Sequence, residues 1–171
     1  LGYPETRLQA TTGQLFRRLW SLFDPNYATL TDREVFDRGF PTDAEASARS
    51  FAFEGTPAEW LGCTTAREIG GLLTQIERGA AATPASCAEM VAILRQQLYN
   101  SRLPQQIAFR AAIGHKTGDW PPIAGNDTGI IYGQRGPIVV ALFATQNRGN
   151  FFELEATHGR VAAALLDAWD G

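Results

Sequence analysis

The stretch "HKTGDWPPIAGNDTGIIYGQRGPIVVALFATQNRG", residues 115–149, carries the pattern from which the architecture follows. Runs rich in β-branched and aliphatic residues alternate with clusters of Gly, Pro, Asn and Asp, as strands joined by tight turns do. The spacing predicts a strand within 107–117, a second over 127–133 and a third over 138–145, with "GQRGP" (133–137) as a hairpin loop. Sequential strands with short connections form an antiparallel meander. Next comes "NFFELEATHGRVAAALLDAW" (150–169), where Asn150 can cap a helix with Leu154, Val161, Leu165, Leu166 and Trp169 on one apolar face.

Upstream, residues 1–106 read as mainly helical. Ser/Thr-x-x-Glu, the signature of a reciprocal helix cap, occurs as Thr31–Glu34, Thr42–Glu45, Thr56–Glu59, Thr65–Glu68 and Ser86–Glu89. Apolar periodicity predicts helices over 13–23, 65–78 and 86–99. Between 24 and 63, Tyr27, Phe36, Phe40, Phe51, Phe53 and Trp60 alternate with Pro, Gly and Asp, which predicts short helices and packed loops. The expected class is α+β: one domain over 1–171, helical over 1–106, with sheet strands and a C-terminal helix over 107–171.

Composition excludes several function classes. Hydrophobic residues make up 44% of the 171 and charged residues 19%, the profile of a globular chain. The net charge of -3 is spread without runs, so no basic face for nucleic acid is expected. No apolar run approaches the roughly 18 residues of a membrane span. Cys63 and Cys87 both fall at predicted helix starts and read as free thiols. With two distant histidines they do not make a zinc site, and neither metal nor cofactor is implied. "LGYPETRLQ" lacks an initiator Met and reads like the end of a helix, so the chain is expected to be truncated at its N-terminal side.

Lys116 is the only lysine among 15 basic residues. On an edge strand, Lys-Thr-Gly sets an ammonium and a hydroxyl beside exposed backbone groups. The glycine lets a ligand approach closely, and the next N–H can face a developing oxyanion. Such a set suits an extended substrate bearing a carboxylate. An edge lysine also serves to discourage strand-to-strand aggregation.

The ordered series from Lys116-Thr117-Gly118 through Asn126-Asp127 and the Gly-Pro hairpin to the closing helix resembles the serine penicillin-recognising enzymes, particularly class A β-lactamases. "TRL" (6–8) and "TTAREIGGLLTQI" (64–76) are similar to segments flanking that family's Ω-loop. The resemblance implies a β-lactamase/transpeptidase-like fold whose N-terminal strands and nucleophile helix lie outside this chain. It makes Lys116 the electrostatic partner of substrate carboxylate and nucleophile, and Thr117 the hydroxyl contact. Gly118 becomes the close-approach position and Asp119 the donor of one oxyanion N–H.

Departures from the family pattern are as informative. With one lysine, and Ile113 three residues before it, the chain has no Ser-x-x-Lys. It has no Ser-Asp-Asn and no Glu-x-x-Leu-Asn, and the acids nearest the latter's place are Asp24, Glu34 and Asp37. The family arginine preceding Asn-Asp is Gly125 here, and Arg148 is the candidate to replace its charge at the substrate carboxylate. His115 is expected on the opposite face from Lys116 in a packing or hydrogen-bonding role. His158 is expected to be a satisfied packing residue, and Asp127 to bond the turn into the second strand.

The resemblance therefore implies part of a serine hydrolase acting by acyl transfer on a β-lactam, peptide or ester carbonyl, inert as this chain alone. Expected partners are a small-molecule or peptidoglycan-like substrate and a separate N-terminal segment of the same protein. The expected location is extracytoplasmic. The alternative is a non-catalytic binding or scaffold module that keeps the fold.

Overall fold

Residues 2–39 and 62–171 are described by a computed structural model. They fall into two compact units, Pro4–Thr64 and Thr65–Gly171, the latter including the N-terminal residues through Tyr3. The capping pairs Thr42–Glu45 and Thr56–Glu59, with Phe40, Phe51, Phe53 and Trp60, lie outside the described residues.

The smaller unit is closed at its base by a two-residue pairing of β1 (Arg7–Leu8) with β2 (Gly62–Cys63), beside which the Thr6 and Thr64 hydroxyls share a hydrogen bond of 2.8 Å. Between them run α1 (Thr12–Ser21), a 3₁₀ turn (Pro25–Thr29) and α2 (Asp32–Arg38). Thr11 caps α1 in a capping box completed by Gln14, and Thr31 caps α2 in one completed by Glu34. Only the second was anticipated, because glutamine closes the first. Leu15, Leu19, Trp20, Tyr27 and Val35 are buried. Phe16 stacks on Trp20 at 4.9 Å, and Tyr27 meets Trp20 edge-on at 5.7 Å. Cys63 is strand residue, not helix start, and its thiol donates to the Glu5 carbonyl at 3.2 Å.

The larger unit begins with α3 (Ala66–Glu77), capped by Thr65, and α4 (Pro84–Leu94). The latter is capped by Thr83, not Ser86, because Pro84 is preorganised for the first helical position and lacks only an N–H the helix would not use. It also ends at Leu94 rather than 99. A 3₁₀ turn (Leu103–Gln106) leads into β3 (Ala112–Trp120), β4 (Ala124–Gly133) and β5 (Gly136–Leu142). The sheet order is β3-β4-β5, antiparallel throughout. Gly133 opposes Gly136 across a two-residue loop, and Gly136 has φ +115°, a conformation open to glycine. Gly129 admits a close approach: a Cβ there would lie 2.7 Å from the His115 Cβ and 2.8 Å from the Gly114 carbonyl oxygen.

The closing helix α5 (Phe151–Asp170) is capped by Asn150 as anticipated. Its buried face is turned from the one anticipated. Glu155, His158, Gly159, Ala162 and Leu166 face inward, while Leu165 and Trp169 are about 40% exposed. Ala162 and Leu166 join Leu103, Ile107, Ile131 and Val140 in the main core. Glu155 turns inward because it has partners there, Arg102 at 3.1 Å and Ser101 at 2.7 Å, and His158 lies buried on the same face.

Candidate active site

Strand β3 is an edge of the sheet, so among the described residues its outer side pairs with no strand. Alternation along it places Gly114, Lys116 and Gly118 on one face and His115, Thr117 and Asp119 on the other. Gly114 abuts Leu94 and Arg95 at the end of α4, and the His115 face looks toward α5. Lys116 is exposed and its ammonium donates to the Thr117 carbonyl, which keeps it on the strand edge. Among the described residues a Cβ built on Gly118 meets nothing within 4 Å, so none of them fills the space above it.

Register fixes where the Asp119 N–H points. Gly125 donates to the Ala144 carbonyl at 3.1 Å, so its backbone groups face the β5 side. Asp119 is directly opposite Gly125 on β3. Opposed residues in an antiparallel pair either bond each other or both turn away. The Asp119 N–H therefore faces the open edge, and by the two-residue period the Thr117 backbone does too. Thr117's side chain is itself mostly buried, at 8% exposure.

Behind this edge lies a buried polar cluster that periodicity did not reveal. Arg102, 2% exposed, donates from one Nη to the Asp119 carboxylate at 2.7 Å and to the Asn126 carbonyl at 3.0 Å. Its other Nη reaches Glu155 at 3.1 Å, and Glu155 also accepts from Ser101 at 2.7 Å. Burial works against the Arg102 charge, but the bond to Asp119 and the fields of Asp119, Glu155 and Asp127 outweigh it and raise its pKa.

His115 lies opposite Lys116 as expected, and its Nδ1 is 2.9 Å from Asp127. Asp127 is fully buried and accepts from the Leu103 N–H at 3.1 Å. It thus ties a distant turn to the sheet and does not bond the turn into its own strand.

His158 is buried as expected, but its Nδ1 lacks a partner among the described residues. Burial lowers its pKa below 6.5, Arg102 adds to that, and Asp127 and Glu155 oppose it. The unfolded imidazole then takes up its proton first on acidification. Stability is expected to fall as pH drops below about 6.5, until the folded histidine titrates as well. Melting temperature against pH checks this: His158→Gln should flatten the slope, and an unchanged slope would refute it.

Arg148 belongs to a loop held at the far end of the strand. Asn147 donates from its backbone to the Ile123 carbonyl at 2.8 Å and from its amide to the Pro122 carbonyl at 2.7 Å. That turn is roughly 13 Å beyond Lys116 at about 3.3 Å per strand residue. Gly125, where the resemblance leads to an expectation of arginine, has no room for one: a Cβ would lie 2.7 Å from Leu154 and 3.1 Å from Phe151. Gly125→Arg is expected to lose about 1–3 kcal/mol of stability by overpacking, measurable by denaturant titration.

The three acids nearest in sequence to the place of the missing Glu-x-x-Leu-Asn each have local tasks. Asp24 caps the 3₁₀ turn through the Asn26 N–H, Glu34 accepts from the Thr31 N–H, and Asp37 pairs with Arg33. The Thr31 bonds lower the Glu34 pKa, which weakens it as a base. Among the described residues, no group of three or more His, Cys, Asp or Glu could hold a metal, and no helix is long and apolar enough to cross a membrane.

An antiparallel meander with Lys-Thr-Gly on its open edge and a terminal helix across the opposite face defines a β-lactamase-type α+β fold. The chain belongs to the β-lactamase enzyme family, whose profile matches residues 1–169. Its fold is similar to a β-lactamase from Sphaerobacter thermophilus (24% identity, TM-score 0.58, covering 84% of this chain and 57% of that one). It is also similar to a class A β-lactamase from Bacteroides cellulosilyticus (18%, 0.59, 94% and 64%) and to PBP-A (24%, 0.57, 80% and 54%). The chain thus spans between 54% and 64% of the length of these three structures. No curated protein sequence matches it significantly.

Proposed function

We propose that this chain forms one wall of a serine acyl-transfer site acting on a β-lactam, peptide or ester carbonyl. The observation that carries the proposal is the outward-facing Asp119 N–H on an open strand edge beside the protein's one lysine. A substrate lying along β3 meets the Thr117 and Asp119 backbone groups, with open space over Gly118. Lys116 supplies positive charge for the substrate carboxylate and the nucleophile, and Thr117 a hydroxyl contact. The nucleophile itself comes from a Ser-x-x-Lys outside these residues. The serine hydroxyl gives its proton to the lysine of that motif and adds to the carbonyl carbon. The C=O π electrons collect on the oxygen, to which the Asp119 N–H donates. Their return breaks the C–N or C–O bond, and the amine or alcohol leaves with that proton. One such donor typically contributes about 2.7–4 kcal/mol to lowering the barrier.

With no Glu-x-x-Leu-Asn in the chain, the acyl-enzyme is expected to persist, as in penicillin-binding proteins. The substrate class and the extracytoplasmic location are those of the family. Labelling the full-length protein with a fluorescent penicillin, read by intact mass, tests this: one covalent adduct is expected. The second reading is a non-catalytic module on the same fold, which a full-length sequence without Ser-x-x-Lys would favour. Failure to label at saturation, with no esterase or peptidase turnover, would support that one. The 171 residues alone are expected to be inert in both cases.

A further inference from the structure

We propose that Arg102 is a positioning residue for the substrate-facing edge of β3, acting through Asp119; this rests on the acyl-transfer reading above. Asp119 sits where β3 has a partner on one side only, so the direction of its N–H depends on what restrains the strand from behind. Its carboxylate is about a third exposed, yet is held by a guanidinium that is 2% exposed. The same Nη that bonds Asp119 also bonds the Asn126 carbonyl on β4, and the other Nη bonds Glu155 on α5. One rigid fork therefore joins the end of β3, the neighbouring strand and the helix across the sheet. The ring of Phe151 lies 5.5 Å from the guanidinium carbon, and Leu103, next in sequence, donates to Asp127 at 3.1 Å.

A purely structural tie would not need a charge here. A buried ion cluster is commonly matched or bettered in stability by apolar residues of similar volume. What a planar guanidinium adds is direction, since its donors leave at fixed angles. Here those angles constrain the residue whose N–H meets the substrate. Small displacements of a reacting geometry can cost far more in rate than in binding.

The test uses the full-length protein, with acylation by a fluorescent penicillin resolved into an acylation rate constant and a pre-acylation dissociation constant, and with melting temperatures measured in parallel. Arg102→Met and Asp119→Ala, which removes the oxygen that accepts from Arg102, are each expected to lower the rate constant by about 10- to 100-fold, with the dissociation constant unchanged within about twofold. The double variant is expected to fall no further than the worse single one, because both break the same clamp. A rate constant unchanged in both single variants would overturn the proposal, as would losses that multiply in the double variant. Should Arg102→Met fail to fold, Asp119→Ala decides alone: a normal rate constant overturns the proposal. No acylation of the wild type would sink the acyl-transfer reading and this inference together, whereas wild-type acylation with unaffected variants would sink only the inference.

Discussion

Lys116→Ala in the full-length protein is expected to lower the rate of acylation by a β-lactam on the order of 10²-fold, the scale on which a preorganised electrostatic group acts. The side chain is exposed, belongs to no buried cluster, and makes its hydrogen bond to the neighbouring Thr117 carbonyl. Its removal should therefore change stability by no more than about 0.5 kcal/mol. That contrast makes the experiment informative, because lost activity could not be blamed on a damaged fold. Stopped-flow acylation and thermal unfolding of the two proteins give both quantities. A variant acylated at the wild-type rate would return Lys116 to the role of a guard against edge-to-edge pairing.

The largest stability loss is expected at Asp127. It is fully buried, accepts from the Leu103 N–H, and meets His115 Nδ1. Asp127→Ala leaves both groups buried without a partner, at a cost of about 3–5 kcal/mol, the usual penalty for removing one side of a buried pair. At about 2–4 °C per kcal/mol for a protein of this size, melting should fall by roughly 6–20 °C. Asp127→Asn keeps one acceptor oxygen and should lose less. Denaturant unfolding monitored by tryptophan fluorescence measures both. A loss under about 1 kcal/mol for the alanine variant would mean that water enters and replaces the carboxylate.

The phenol of Tyr132 offers a pH counterpart at the other end of the scale. Burial, and then its bond to Glu77, raise its pKa to about 12. The folded state therefore holds that proton after the unfolded chain releases its own near 10. Stability should fall as pH rises from about 10 to about 12. Tyr132→Phe should remove that part of the slope.

The residue order alone determined the three strands, the presence of a hairpin at GQRGP, the Asn150 cap and the Lys-Thr-Gly edge, while the register shortened the hairpin loop to two residues. Each depends on interactions within a few positions: β-branched runs, turn glycines, and a side chain reaching the next N–H. Where local signals competed, the outcome was less legible, as when Pro84 moved the start of α4 upstream of Ser86. Only the tertiary structure decided that Arg102 meets Asp119 and Glu155, and that Asp127 serves Leu103 and His115. These partners lie 12 to 53 positions apart, and no periodicity records such a pairing. Lys116 could be singled out from composition, but the outward direction of the Asp119 N–H beside it could not. That direction is a property of strand register, set by Gly125 bonding to Ala144 on the far side of β4.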